Sequence, residues 1–411
     1  MSYIKTISSN LLPEMRLLLD CSSTFPEEEN NSIISALRSD LINWTTFINL
    51  VRQHRVYPFA YRNLRKFTEN GVPEHVKHSL RVQFEKNVNR SIRLAAELVR
   101  LVELLERKGF PTLSLKGPAL ALQIYGDLSM RHGGDLDLLV APEHLAQAER
   151  VLLQEGYRRL TPAFNLSPRQ QRYYTWWLHH FGYYHDKLQI RVELHHRLFQ
   201  EPCFLPLNFH LVAKQQGHVT LAGTLVKTLS VEDTVLYLCA HGAKHAWLRL
   251  FWLFDIARLL RDDHDIDWGG IMQRAKEMRS CRFVAQGILL SNVLLGTSLP
   301  DSVRSFTERD RATKDLVNAA YRMIIRTQCS FNEPPIPPYF LKKFYDILVQ
   351  ISLRQKLMVC VRQVGTIPHD WCDISLPDAL FPFYHLLRPF LWFRRKYLNE
   401  LAFRRHTGSK D

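Results

Sequence analysis

The sequence predicts an α+β fold in which a short mixed sheet with its helices lies between two helical regions. Before residue 110 and after residue 230, apolar residues recur at steps of three and four, as on the buried face of a helix. Between these limits, short segments alternate apolar and polar residues and end at Gly or Pro, which is typical of strands. We therefore expect a helical segment over 1–110, an α/β core over 111–230 and a helical region over 231–411.

The helical parts are predicted from periodicity and end signals. A continuous apolar stripe predicts a helix over Val76–Lys108, with Gly109 as its C-terminal stop. Ser230, three residues before Asp233, is a cap signal for the next helical region. From there the pattern predicts helices over 231–245, 248–262, 269–295, 302–328 and 338–363.

The strands of the core are predicted from alternation and from the turns between them. Pro118 and Pro142 each open a helix, because proline is pre-set for the first helical position. Residues 158–177, rich in Arg and aromatic side chains, are interpreted as a loop. The predicted strands cover 112–115, 135–140, a hairpin of 178–185 with 188–195, and a β segment near 219–228.

Composition narrows the class of protein. Hydrophobic residues make up 46% of the 411 residues and charged residues 23%, which excludes collagen, a coiled-coil rod and wholesale disorder. The 54 Lys and Arg against 40 Asp and Glu give a net charge of +14. This excess suits a polyanionic partner such as nucleic acid, nucleotide phosphate or an anionic membrane surface.

The cellular setting is predicted from cysteines and apolar runs. The seven cysteines include no CxxC pair, and reduced thiols in a cytoplasmic protein fit best. The first residues lack the basic and apolar pattern of a secretory signal, and no apolar run reaches the ~20 residues of a membrane span. The segment from Phe381 to Phe403 mixes Phe, Trp and Leu with Arg and Lys. It predicts either a helix packed on the protein or a peripheral contact with an anionic membrane.

Two aspartates on one strand are the first candidate site. In Asp135-Leu136-Asp137 the side chains alternate, so both carboxylates project on one side, about 6.6 Å apart along the strand. A divalent cation between them would remove their repulsion, and oxygen ligands favour Mg²⁺ or Mn²⁺. The alternative is a solvated strand face that carries two aspartates.

A third carboxylate on a second strand strengthens the metal interpretation. In the segment 189–195, Glu193 alternates with the apolar Val192 and Leu194. If this strand lies beside the aspartate strand, the three acids can hold two metal ions about 3.5–4 Å apart, as in phosphoryl transfer. The alternative is an isolated Glu193 paired with Arg191.

A turn upstream of the aspartates is a candidate anion site. Lys116 and Gly117 stand at a strand-to-helix junction, where backbone N–H groups and a lysine can bind phosphate. Arg131 adds a cation four residues before Asp135. Each signal is weak alone, because many such turns bind nothing and most arginines are solvated.

These residues resemble the uncharacterised nucleotidyltransferase family of the DNA polymerase β superfamily. The resemblance rests on Lys116-Gly117, on Arg131 with the segment Gly134–Val140, and on Glu193. It extends to the stretches 230–234, 241–245 and 252–257, and covers roughly residues 20–265. It implies a minimal nucleotidyltransferase core.

The resemblance also implies an activity and a set of site residues. The activity is transfer of a nucleoside monophosphate from an NTP, with ATP as the expected donor, to a hydroxyl or amine acceptor with release of pyrophosphate. Asp135, Asp137 and Glu193 would be catalytic and would bind two Mg²⁺ or Mn²⁺ ions, and Lys116, Gly117, Arg131 and Gly134 would bind the nucleotide. The turn carries Gly117-Pro118 where the superfamily usually has Gly-Ser or Gly-Gly. A non-catalytic nucleotide- or RNA-binding protein on the same fold is therefore the alternative.

Two further patterns have competing interpretations. His241 and His245, four residues apart on a helix, predict either a structural or substrate-positioning pair or, with Asp255, a metal site. The basic and aromatic residues of 158–177 predict either a nucleic-acid surface or an aromatic cluster that anchors the core.

Overall fold

The computed structural model describes residues 11–21, 30–38, 41–67, 71–199, 205–261, 266–329 and 339–407. The helices before the core are α1 Pro13–Asp20, α2 Asn30–Arg38, α3 Trp44–His54, α4 Tyr57–Leu64 and α5 Glu74–Arg107. The core contains β1 Thr112–Ser114, α6 Gly117–Tyr125, β2 Leu136–Val140, α7 Leu145–Gln154, β3 Arg158–Thr161, α8 Pro168–Trp177, β4 His180–His185, β5 Ile190–His195, α9 Phe209–Val212, β6 Gly217–Leu221 and β7 Thr224–Thr228.

After β7, the secondary structure of the described chain is helical. The helices are α10 Val231–Lys244, α11 Leu250–Arg261, α12 Trp268–Glu277, α13 Cys281–Leu295, α14 Asp301–Arg309, α15 Arg311–Arg326, α16 Tyr339–Leu348, α17 Leu353–Val364, α18 Pro368–Asp373 and α19 Phe383–Thr407. Short 3₁₀ turns cover Leu128–Met130, Pro142–His144, Ala213–Gln215, Thr327–Cys329 and Asp378–Leu380. The predicted α+β fold, with helices on both sides of a mixed sheet, is confirmed.

The strands form a mixed seven-stranded sheet in the order β3-β4-β5-β2-β1-β7-β6. Strand β2 is central and pairs antiparallel with β1 and parallel with β5. Strands β4 and β5 form the predicted hairpin, and β6 with β7 forms a second one. The parallel pairing of β2 with β5 positions the candidate site.

Each face of the sheet contributes to a separate apolar core. Leu136, Leu138 and Val192 lie on one face and pack under α5 and α7. Leu139 on the opposite face belongs to a larger core, which also includes residues of the N-terminal helices and of the helices after residue 230. The division into segments at residues 110 and 230 stays a prediction.

The segment 158–177 is not a loop, so that prediction was wrong. Its first part is strand β3, which pairs with β4 at the edge of the sheet, and its second part is helix α8. Ser167 and Gln170 form a capping box at the start of α8, with Pro168 in the first turn. These two signals are readable in the sequence and explain why a helix begins there.

Three of the predicted long helices are each interrupted. The stretch 269–295 breaks between α12 and α13, where Arg279 adopts a φ of +56°. The stretch 302–328 breaks at Asp310, whose side chain accepts a hydrogen bond from Thr313 N and so starts α15. The stretch 338–363 breaks before Ser352, which forms a capping box with Gln355. At the second and third breaks, polar cap residues override the apolar periodicity.

Helix α19 packs only part of its surface on the protein. Arg388 and Arg395 pair with Asp370, while Phe383, Leu386 and Phe390 remain exposed. Within the part of the chain that is described, no helix is both long enough and apolar enough to traverse a bilayer.

Candidate active site

The candidate site lies where β2 and β5 run side by side. In their parallel register, Asp137 is the direct partner of Glu193. Both side chains project from the face opposite to Leu136, Leu138 and Val192, because strand side chains alternate. Asp135 directly precedes β2 and lines the same pocket. The structure thus brings the three predicted acids to one pocket.

This pocket is a concave cavity of about 290 Å³. Besides the three acids, its walls include Lys116 and Gly117 from the β1–α6 junction. Helices α10 and α11 with the turn between them close the cavity on another side. Cationic and aromatic side chains therefore face the acids across the cavity.

Asp137 is the most buried of the three acids. Its Oδ1 atom lies 2.9 Å from Lys116 Nζ and 3.1 Å from His195 Nε2. Burial alone would raise the pKa of Asp137, but Lys116 and His195 outweigh it and hold the pKa below its ordinary value. Its Oδ2 atom is buried and has no hydrogen-bond partner within the described chain. An ionised carboxylate with one unsatisfied oxygen is suited to accept a cation.

Glu193 and Asp135 differ in their surroundings. Glu193 Oε1 accepts a hydrogen bond from Arg191 at 2.9 Å, so the predicted alternative of a Glu–Arg pair also occurs. Burial and Asp137 raise the pKa of Glu193, but the hydrogen bond with His195 and the proximity of His180 outweigh them, so the net shift of the pKa is downward. Burial and the neighbouring Asp137 raise the pKa of Asp135 to about 6.

Gly117 joins the predicted phosphate turn to the aspartate strand. It adopts a φ of +68°, which side-chain-bearing residues rarely adopt. A Cβ atom at this position would lie 3.1 Å from the backbone oxygen of Asp135. Leu115 N also donates to the backbone oxygen of Asp137 at 3.0 Å. The turn and the acids are thus held in direct contact.

Arg131 lines the pocket but already has a partner. Its Nε atom donates to Asp255 Oδ2 at 3.0 Å, and both side chains are buried. Tyr125 donates to the other oxygen of Asp255. This network ties the loop before β2 to α11, which indicates a structural contribution of Arg131. Gly134 lies at the pocket and is exposed.

His241 and His245 both face the cavity from the end of α10. Their ring centroids lie 4.8 Å apart, and Trp252 stacks on His245 at 5.1 Å. Burial lowers the pKa of both histidines, that of His245 to about 3, so they are neutral at physiological pH. Asp255 is engaged by Arg131, and the described residues show no metal-type cluster that includes this pair. The positioning role is therefore the better interpretation.

Several pocket residues were not predicted as site residues. Arg55, at the end of α3, reaches the cavity from a helical segment that carries no catalytic motif. Lys244 is half-buried and lines the pocket, and its desolvation there lowers its pKa to about 8. His179 and His180 line the cavity from the start of β4. A basic side chain far away in sequence gives no local signal, because only tertiary packing brings it to the site.

The donor groups of the pocket fit a divalent metal ion. Asp137, Glu193 and His195 each offer a ligand atom within 4.8 Å of those of the other two. The unsatisfied Oδ2 of Asp137 and the carboxylate-rich set match the preference of Mg²⁺ and Mn²⁺ for oxygen. Asp135 is not part of this group of three, but it lines the same pocket directly before β2.

The aromatic and basic residues of α8 are placed away from this pocket. Tyr173 packs edge-on against Trp371 at 5.9 Å and lies 5.1 Å from Phe381, near the C-terminal helices. Arg169 lies over the Phe381 ring. This arrangement supports the core-anchoring interpretation of these aromatics.

The sequence comparison identifies the family. The family model of uncharacterised nucleotidyltransferases matches residues 40–296, more than half of the chain, so this protein belongs to that family. The matched range includes both strands of the acidic pocket and the helices that close it. No curated protein and no solved structure matches the chain. Membership supports a general nucleotidyltransferase role.

Proposed function

We propose that this protein transfers a nucleoside monophosphate from an NTP, ATP in the first instance, to a hydroxyl or amine acceptor with release of pyrophosphate. The observation that carries the proposal is the pairing of Asp137 with Glu193 in parallel register, with Asp135 on the same cavity wall. Asp135, Asp137 and Glu193 would hold Mg²⁺ or Mn²⁺, in keeping with the buried, unsatisfied Oδ2 of Asp137. Divalent ions bound there supply charge stabilisation to the attacking and leaving oxygens of phosphoryl transfer.

The chain's own cations would bind the triphosphate. Lys116 is half-buried beside Asp137, and the surrounding acids keep its pKa above the ordinary value although desolvation opposes this. Lys244 and Arg55 line the same cavity, so three positive side chains face the space next to the acids. Gly117 allows the backbone at the start of α6 to approach a phosphate, because no Cβ intervenes.

The base and the acceptor would lie on the aromatic side of the cavity. Trp252 stacks on His245, and Phe251 lies beside Trp252 at 5.2 Å. Flat aromatic and imidazole surfaces bind bases by stacking with little dependence on sequence. The neutral histidines can accept or donate one hydrogen bond to a hydroxyl without adding charge.

The direct test is an assay with purified protein, each labelled NTP, and Mg²⁺ or Mn²⁺. We expect pyrophosphate release or self-labelling, and we expect Asp135→Asn and Asp137→Asn to lower it by at least about 100-fold, as for loss of a group that acts in the transition state. Asp315→Asn is the matched control, because Asp315 is exposed on α15 and remote in sequence from the pocket residues. Activity that persists in both pocket variants would contradict the metal assignment.

The alternative is a nucleotide- or RNA-binding protein without turnover. One observation favours it: within the chain, Asp137 already contacts Lys116 and Glu193 already contacts Arg191. The net charge of +14 would then serve binding to a polyanion. Binding of RNA with a steep dependence on salt and no pyrophosphate release from any NTP would select this function.

A further inference from the structure

Three histidines form a cluster at the edge of the acidic pocket. His180 on β4 is the direct cross-strand partner of His195 on β5, and His179 immediately precedes β4. The ring centroids lie 4.4 Å apart for His179 and His180, 5.2 Å for His179 and His195, and 5.0 Å for His180 and His195. The hairpin register therefore gathers three imidazoles at one point.

The nitrogen atoms of this cluster are close enough to share one ion. Each histidine offers a ring nitrogen within 4.8 Å of those of the other two. His180 Nδ1 and His179 Nε2 are 3.3 Å apart. Two nitrogens bound to one tetrahedral zinc ion, each at 2.0–2.1 Å, stand about 3.4 Å apart. Zinc–nitrogen bonds fix this spacing between nitrogens, so side-chain movements of about 1 Å would bring the third histidine to ligand distance.

Two buried ring nitrogens of this cluster lack a hydrogen-bond partner within the described segments. His179 and His195 are 7% and 1% exposed. Among the described residues, the Nδ1 atoms of both have no hydrogen-bond partner. An unsatisfied polar atom in the interior is costly, and a metal ion bound to His195 Nδ1 would satisfy that atom. This observation is independent of the ring distances and points to the same ligand.

The surrounding groups match those of a histidine metal site. Metal-bound histidines usually donate their other N–H to a carboxylate, and His195 Nε2 lies 3.1 Å from Asp137 Oδ1. Glu193 Oε2 lies 3.7 Å from His180 Nε2 and 3.6 Å from His195 Nε2, so it lies beside the ring nitrogens that would not bind the ion, where a second carboxylate can orient the rings. Three imidazoles with water as the fourth ligand are typical of zinc rather than magnesium.

We propose that His179, His180 and His195 bind one divalent transition-metal ion, with Zn²⁺ as the best match, beside the carboxylates that would hold Mg²⁺. The site joins β4 to β5 and, through the hydrogen bond from His195, fixes the position of Asp137 on β2. It is a site in addition to the nucleotide-linked metals, and it does not require that the protein turns over NTP.

The test uses the untagged full-length protein after removal of metals with a chelator. We expect calorimetry and elemental analysis to find one Zn²⁺ per chain, with binding that persists in a large molar excess of Mg²⁺. With Co²⁺ in place of Zn²⁺, we expect the intense visible absorption of a tetrahedral site without sulfur-to-metal charge-transfer bands. Thiolate bands would overturn the proposal, because they would assign the ion to cysteine.

Matched variants separate this site from other histidines and from the catalytic proposal. His179→Gln and His180→Gln should each weaken Zn²⁺ binding at least about tenfold, since even outer-shell losses cost 10–100-fold. His218→Gln, an exposed histidine on β6, should leave the affinity unchanged. Asp135→Asn should retain Zn²⁺ binding whether or not it abolishes nucleotidyl transfer, so the two proposals can fail separately.

Two outcomes would overturn the zinc site. One is the absence of Zn²⁺ binding to the unsubstituted protein, a result that does not depend on any variant's folding. The other is equal Zn²⁺ affinity in the unsubstituted protein and in the His179→Gln and His180→Gln variants, each first shown by circular dichroism to retain its helices.

Discussion

Replacement of Gly117 by alanine tests the contact between the phosphate turn and the aspartate strand. Gly117 has a φ of +68°, and a new Cβ would meet the backbone oxygen of Asp135 at 3.1 Å. Gly126, at the other end of α6, has a φ of +64° and no atom within 4 Å of its virtual Cβ. The two variants therefore share the backbone strain, and only Gly117→Ala adds the contact with Asp135.

The backbone strain and the contact with Asp135 determine how much stability and turnover each variant should lose. A non-glycine residue in the left-handed region costs about 1–2 kcal/mol, so Gly126→Ala should lower the free energy of unfolding by that amount and leave NTP turnover unchanged. Gly117→Ala should lose more stability, because the Asp135 backbone must shift by a few tenths of an ångström. A 1 Å misplacement can reduce turnover about 100-fold, so we expect a loss of about tenfold here.

The assay is urea unfolding followed by circular dichroism, combined with pyrophosphate release at saturating NTP. The informative quantity is the difference between the two variants, since their shared strain cancels. Equal stability and equal turnover in Gly117→Ala and Gly126→Ala would refute the idea that the close approach at Asp135 positions the site.

Three more predictions concern the same region. Because burial lowers the pKa of Lys244 to about 8, its ammonium is lost above that pH. The Kd for a non-hydrolysable NTP analogue should rise by up to about tenfold per pH unit above 8, and Lys244→Arg should flatten the profile, as calorimetry will show. Asp255→Ala should lower the free energy of unfolding by about 3–5 kcal/mol, because it leaves the buried charge of Arg131 without its partner. The double variant Arg131→Met with Asp255→Leu should regain most of that free energy, because it removes both charges. Urea unfolding measures both values. Gly242→Ala would place a Cβ 2.4 Å from the buried Trp247 ring, so we expect a loss of about 1–3 kcal/mol and a change in tryptophan fluorescence.

The acidic site was predictable because its signal is local. Alternation along each strand separates Asp137 from Leu136 and Glu193 from Val192, so each strand shows which face is polar. What the sequence left open was whether the two strands are neighbours. Their parallel pairing depends on the whole sheet order, which a single strand does not encode.

Other parts of the site were not predictable from local patterns. Arg55 joins the pocket from α3, and neither its neighbours nor its spacing indicates this. Arg131 was expected at the triphosphate, but its burial with Asp255 depends on the packing of α11 against the core. The helix breaks at Asp310 and Ser352 do carry capping signals, which the strong apolar periodicity obscured.

Anomalous diffraction from crystals grown with Mn²⁺ and a non-hydrolysable ATP analogue tests the central claim most directly. The account predicts manganese peaks coordinated by Asp137 and Glu193, with the triphosphate extending towards Lys116 and the start of α6. A nucleotide bound elsewhere, or manganese with no carboxylate of this pocket among its ligands, would contradict it.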